Sequence, residues 1–157
     1  MNNYLQPVYR MLFLLLAMQT ALPATANEVS IPIQSAASGG LYIQTILGDG
    51  ITTEMLLDTG SSYVALSIST FNKITVNTEL AFSRNIYGAM ANGKVEQYSL
   101  YILDKLQISD NCILRNVEVA VLPNANKDIL GLNALVLLQP FTLQMTPAIL
   151  SSQNCAT

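Results

Sequence analysis

Apolar residues along this chain come in short runs broken by Gly, Asn, Asp, Ser and Pro, a rhythm that predicts strands far more than helices. Val29-Ser30-Ile31-Pro32-Ile33 reads as an edge strand, because Pro32 has no N–H for an inner ladder. Residues 35–40 form a small-residue linker. Residues 41–47 and 51–57 are two β-type runs around Gly48-Asp49-Gly50, which predicts a hairpin with Asp49 as a turn residue. Residues 63–67 make a further strand, and residues 69–74 a helical turn capped by Ser69. Residues 80–87 and 94–103 are strand-like, with Gly88-Ala89-Met90-Ala91-Asn92-Gly93 between them. Glycines at both ends of a small-residue tip describe a mobile hairpin that can fold over a ligand, or else a plain surface hairpin.

Beyond Leu106-Gln107-Ile108 lies an Asp110-Asn111 turn, and residues 112–122 then alternate Val117, Val119 and Val121 against Glu118 and Ala120, the mark of a half-buried strand. A polar loop over 123–127 leads to Ile129-Leu130-Gly131 and a short apolar helix over 132–138, stopped before Pro140. Residues 141–145 and 148–150 supply the last strands. The expected fold class is all-β: many strands, mostly antiparallel, with one short C-terminal helix.

The N-terminus breaks this rhythm. Arg10 precedes the apolar run Met11-Leu12-Phe13-Leu14-Leu15-Leu16-Ala17-Met18, Pro23 ends the segment, and Ala24-Thr25-Ala26 is a small-x-small cleavage site. The run falls well short of the ~20 apolar residues that span a bilayer. Residues 1–26 are therefore expected to be an export signal, residues 27–40 an edge segment and linker, residues 41–150 the functional domain and residues 151–157 a tail. The mature protein is expected in the periplasm or outside the cell, with no stable membrane span. An oxidising compartment permits a disulfide between Cys112 and Cys155, the only cysteines, which would tie the tail to a strand. The alternative is two unpaired, partly buried thiols, and geometry decides between them.

Composition narrows the chemistry. Hydrophobic residues make up 51% of the 157 and charged residues only 11%, enough apolar material for one core. A net charge of −3 with no basic cluster argues against nucleic acid as a partner. There is no histidine, so Ser-His-Asp and Cys-His mechanisms lack their base, and His-containing zinc sites lack their ligands. Two cysteines cannot make a four-cysteine metal site. No metal or cofactor is expected, and if the chain is a hydrolase, carboxylates are its candidates.

One carboxylate is delivered distinctively. In Glu54-Met55-Leu56-Leu57-Asp58-Thr59-Gly60-Ser61-Ser62 an apolar run carries the chain inward and leaves Asp58 at a strand end among hydroxyl groups. Water activation needs a carboxyl group held rigidly with donors around it. Gly60 allows a sharp turn and a close approach. Alone, Asp-Thr-Gly is also an ordinary turn after a strand.

With its neighbours, this stretch resembles the retropepsin-like aspartic proteases, single-domain relatives of the pepsins. Four features agree in order over residues 41–145: Leu56-Leu57-Asp58-Thr59-Gly60-Ser61-Ser62, the hairpin ending Met90-Ala91-Asn92-Gly93, the strand of residues 117–122, and Ile129-Leu130-Gly131 before a helix. The chain is similar in particular to bacterial exported members, whose flap often contains Ala-Asn-Gly. The resemblance implies an acid-protease barrel that hydrolyses peptides or unfolded proteins with an Asp-activated water. It implies a homodimer, because only Asp58 sits in an Asp-Thr-Gly setting while Asp49, Asp104, Asp110 and Asp128 read as turn or loop residues. It further implies that Thr59 hydroxyls lock the two loops together, that Gly60 donates its N–H to the carboxylate, and that Gly131 leaves room behind the loop.

Two departures stand out. Ser61 replaces the Ala more usual in retroviral enzymes, and a hydroxyl donating to Asp58 would favour its charged form and an acidic optimum. Leu132-Asn133 replaces an Arg-Asp or Arg-Asn pair whose arginine supports the dimer. Two other readings compete with the enzyme. One is an exported module that keeps the fold without turnover and clamps an extended peptide by strand addition. The other is a structural domain in which Asp58 only caps a turn.

Overall fold

The computed structural model describes residues 28–89 and 93–155. The expected signal segment and the flap residues Met90, Ala91 and Asn92 lie outside the described residues. Among the described residues, eleven strands and two short helices follow in chain order. They are β1 (Val29–Pro32), β2 (Gln34–Ser35), β3 (Leu41–Leu47), β4 (Ile51–Leu57), β5 (Val64–Ser67), α1 (Ile68–Thr75), β6 (Ala81–Ala89), β7 (Val95–Ser109), β8 (Cys112–Leu122), β9 (Asp128–Leu130), α2 (Leu132–Leu135), β10 (Phe141–Met145) and β11 (Ala148–Ser152). A 3₁₀ turn, Val136–Leu138, continues α2.

The larger sheet runs β2-β3-β4-β9-β5-β8-β7-β6, and β3 also pairs with β7. That extra pairing closes β3, β4, β9, β5, β8 and β7 into a six-stranded barrel. Most pairs are antiparallel, while β4–β9 and β5–β8 are parallel. The fold is all-β with a short C-terminal helix, as the pattern of the chain predicts, and its closure into a barrel is what the resemblance implies. A second sheet, β1-β11-β10, lies beside the barrel, with β1 at one edge and β10 at the other. The edge position of β1 agrees with Pro32, which has no N–H to offer an inner ladder.

The β3–β4 hairpin turns at Gly48 and Gly50, whose φ values of 54° and 126° suit glycine alone. The main core collects Ile43, Leu47, Met55, Leu66, Leu103 and Leu130 from the strands, with Leu135 and Leu138 from the C-terminal helix and turn. β5 is buried along its whole length, as expected of a strand covered on both faces. The disulfide is formed: Cys112, fully buried at the start of β8, is bonded to Cys155 beyond β11. Among the described residues, no helix is long and apolar enough to cross a membrane.

Four expectations change. The N-cap of α1 is Ser67, not Ser69: the Ser67 Oγ accepts from the Thr70 N–H at 3.3 Å. β5 runs straight into α1, so the last strand residue takes the capping place and Ser69 falls within the first turn. The runs expected over residues 94–103 and 106–108 fall in one strand, β7, which begins at Val95; Asp104 is exposed within it, and the pairing with β8 keeps its register on either side, Leu103↔Val117 and Lys105↔Arg115. Asp104 is thus a strand residue.

Asp128 is no loop residue either. It opens β9 and is 3% exposed. Its carboxylate accepts the Thr53 hydroxyl at 2.6 Å, the Thr70 hydroxyl at 2.7 Å and the Ser67 N–H at 2.8 Å. Three donors from β4, β5 and α1 thus replace the water this carboxylate leaves behind on folding. Asp128→Ala strands all three in a buried place, and a loss of about 3 kcal/mol in urea unfolding is expected. A loss below about 1 kcal/mol would show that the cluster is not holding the strands together.

Candidate active site

Asp58 follows the last residue of β4 and begins a tight loop that returns through Ser62 and Tyr63 to β5. Three supports fix this loop. The Asp58 N–H donates to the Leu130 carbonyl at 3.1 Å, which extends the parallel β4–β9 ladder by one step. The Leu132 and Asn133 N–H groups, at the start of α2, donate to the Ser61 and Ser62 carbonyls at 2.8 and 3.2 Å. The Asn133 side chain accepts from the Val64 N–H at 2.7 Å and donates to the Glu118 carbonyl at 2.7 Å, joining α2 to β5 and β8.

Two glycines permit this packing. A Cβ on Gly131 would lie 2.1 Å from the Tyr63 carbonyl oxygen and 2.9 Å from that of Ser61, so only glycine lets α2 approach the loop. Gly60 donates its N–H to Asp58 Oδ1 at 2.8 Å, and a Cβ there would sit 3.1 Å from the same oxygen. Both contacts agree with the expectation for these residues. Ser61 differs. Its hydroxyl donates to the Tyr63 carbonyl at 2.8 Å. A hydroxyl has one hydrogen to give, so Ser61 does not donate to Asp58, and the acidic optimum argued from that contact loses its cause.

Asp58 opens onto a cleft of about 720 Å³ between the loop and the β6–β7 hairpin. Ala65, Ala120 and Leu100 form a small apolar cluster beneath it, joined by Ile86, Leu122 and Ile129. Among the described residues that line the cleft, Asp58 is the only carboxylate. Gly88, Ala89, Tyr87 and Tyr98 line its hairpin side. A Cβ on Gly88 would stand 3.1 Å from the ring of Tyr98 on the neighbouring strand, so within the hairpin β6 lies close against that ring. Burial, and then a hydrogen bond to Glu96 at 3.1 Å, push the Tyr98 hydroxyl pKa upward. Asp58, Thr59, Gly60 and Ser61 are thus gathered in one loop, with Ile129, Leu130 and Gly131 directly behind it. Gly93, with φ of 80°, is not among the residues that line the cleft. Cys112 and Cys155 take no part in the cleft.

Several cleft-side residues escape sequence reasoning. Tyr63 and Ala65 follow the motif but carry no signature of their own. Arg84, Glu118 and Asn133 come together only through the sheet. The Glu118 carboxylate takes both terminal nitrogens of Arg84, with Nη2 at 2.7 Å from Oε2, and accepts the Ser83 hydroxyl at 2.7 Å. Ser83 first, and then Arg84, hold the Glu118 carboxyl below the usual glutamate range against the opposing effect of burial.

Two comparisons place the chain among known proteins, and a third finds no match. Residues 44–136 match the family described as "gag-polyprotein putative aspartyl protease". A retropepsin-like aspartic protease from Rickettsia conorii has the same fold, with a TM-score of 0.60 and 22% identity over 80% of this chain and 91% of that one. No curated protein matches the chain.

Two outcomes test the geometry. Gly131→Ala drives a methyl group into backbone atoms that cannot move aside, and should cost about 3 kcal/mol or more in chemical denaturation. A change under about 1 kcal/mol would contradict the close approach. The lowered Glu118 carboxyl contributes stability that is present above the ordinary glutamate value and fades as pH falls through its folded value. The difference in Tm between wild type and Glu118→Gln should therefore hold from about pH 7 to about pH 5 and shrink below about pH 4. A difference that fades between about pH 7 and about pH 5 would show the pKa is not lowered.

Proposed function

The chain belongs to the gag-polyprotein aspartyl protease family and has the retropepsin-like fold, and from that premise we propose that it is an aspartic endopeptidase completed by homodimerisation, with Asp58 of each copy meeting at the two-fold axis. The observation that carries this reading is that Asp58 is the lone carboxylate among the described residues of the cleft. One Asp cannot serve as both base and acid in a single attack on a peptide, and its Asp-Thr-Gly tip is exposed at Thr59 and Gly60.

In the proposed mechanism, two carboxyl groups side by side share one proton, because like charges this close do not both ionise. The ionised one takes a proton from water as that water attacks the substrate carbonyl. The protonated one donates to the oxygen that gains charge. The Gly60 N–H orients Asp58, and the Thr59 hydroxyl is free to bind the second loop. Apolar floor residues such as Ile86, Leu122 and Ile129 favour apolar substrate side chains. The pH profile of such a pair is bell-shaped, and its two limbs belong to the dyad and not to either residue.

The surface supports a second copy. Among the described residues, one edge of β10 has no ladder partner, and Leu143 and Met145 on it are 41% and 59% exposed. Leu132, Val136 and Leu137 on the α2 side are also exposed, and Leu132 is bonded through its N–H to the Asp58 loop. An apolar patch beside an incomplete site fits self-association. Export to the periplasm or beyond, after removal of residues 1–26, is part of the same proposal, and the Cys112–Cys155 bond supports it because such bonds persist in oxidising compartments.

The test is cleavage of an unfolded protein by residues 27–157 across acid to neutral pH. The rate should rise as the square of enzyme concentration when that concentration is low. Asp58→Asn should reduce it by a factor on the order of 10³ or more. No cleavage at any pH by a folded sample shown to be dimeric would favour the peptide-binding module instead.

A further inference from the structure

Among the described residues, β6 is the outer strand of the larger sheet, and its only ladder is with β7. Its hairpin leaves the barrel, so the sheet alone leaves its angle over the cleft loosely set. The register of β6 against β7 shifts between Phe82 and Arg84, which makes Ser83 an extra residue. Neighbouring side chains on a regular strand point to opposite faces, and a bulge re-aims them. Here both Ser83 and Arg84 converge on Glu118, which lies two strands away on β8. The ion pair therefore reaches across β7.

Arg84 makes a further contact. Its Nη2 donates to the Tyr63 hydroxyl at 3.2 Å, and Tyr63 lines the cleft in the loop that carries Asp58. Glu118 heads the row Glu118, Ala120, Leu122 on β8, and the last two residues line the cleft. Arg84 heads the matching row Arg84, Ile86, Gly88 on β6, and again the last two line it. The network thus stands at the end of the cleft where both rows begin. The Glu118 carbonyl takes the Asn133 side chain, so the tie continues into α2 behind the loop.

We propose that Arg84 is a latch: a positioning residue that sets the root of the flap hairpin against β8 and holds the Tyr63 ring as a wall of the substrate cleft. Its part in substrate binding rests on the protease reading, while the latch itself does not. Geometry requires arginine, because a planar fork can hold both Glu118 oxygens and still reach the Tyr63 hydroxyl. A lysine offers its donors from a single nitrogen and lacks the fork that makes two parallel bonds to the carboxylate.

Two measurements test it. The first is amide hydrogen exchange on the full chain carrying Asp58→Asn, which needs no proteolytic activity. Arg84→Ala should speed exchange in β6 beyond the bulge and in the facing part of β7 by about threefold to tenfold, with β3 and β4 unchanged. Arg84→Lys should fall between. The second is peptide hydrolysis with Asp58 intact: Arg84→Ala should raise KM about fivefold and leave kcat within about twofold. Exchange that is unchanged, or that rises equally throughout the barrel, would overturn the latch. A fall in kcat with KM unmoved would overturn its role in substrate binding. If wild type hydrolyses no peptide at all, the protease reading fails, and the exchange result still decides the latch.

Discussion

The Asp58 loop depends on a contact that only a missing side chain permits. At Gly131 the chain leaves β9 for α2 with the Tyr63 carbonyl where a Cβ would be. That approach brings the first N–H groups of α2 within hydrogen-bond reach of the Ser61 and Ser62 carbonyls. These groups have no partner inside the helix, and the carbonyls have none inside a strand. Each set satisfies the other. The loop is thereby held from behind by α2 and from the side by β9, and Asp58 is left at its front with one oxygen already bonded to the Gly60 N–H.

β9 can perform this service because it is itself fixed. It is three residues long and pairs in parallel with β4 through Met55↔Asp128, Leu56↔Ile129 and Leu57↔Leu130. So short a strand has few ladder bonds. The buried Asp128 carboxylate compensates by binding β4 at Thr53, β5 at Ser67 and α1 at Thr70. The same three-residue segment thus carries a polar clamp at one end and the Leu130 carbonyl that holds Asp58 at the other. Fold stability and site geometry meet in it.

The cleft side works by different physics. There the apolar cluster under Ala65, Leu100 and Ala120 is small, and the hairpin above it is largely exposed. Apolar burial alone gives such a hairpin little preference for one angle. Charge and hydroxyl contacts through Arg84, Glu118, Ser83 and Tyr63 supply direction instead, since hydrogen bonds are directional where the hydrophobic effect is not. A polar tie at the root of this lightly packed hairpin gives it a direction without burying its outer part.

Much of this could be read in the chain alone. The β3–β4 hairpin, β8 and the α2 helix follow from local periodicity and from Gly and Pro, whose backbone limits act at the residue itself. The roles of Gly60 and Gly131 also follow from the motifs that contain them. What failed had a common cause. Asp104 and Asp128 are both polar residues beside apolar runs, and their local sequences do not tell an exposed strand residue from a buried acceptor. Ser61 sits beside Asp58 in sequence, yet its hydroxyl goes to the Tyr63 carbonyl because the loop turns it that way. Arg84 and Glu118 are 34 residues apart, and a bulge in β6 brings them together. The sequence by itself determined the strands, the turns and the loop that carries Asp58, because those are set by short-range sterics and by the period of apolar residues. Only the tertiary structure decided which polar groups meet, because a hydrogen bond is chosen by the direction and distance of its partners, and those come from strands far apart in the chain.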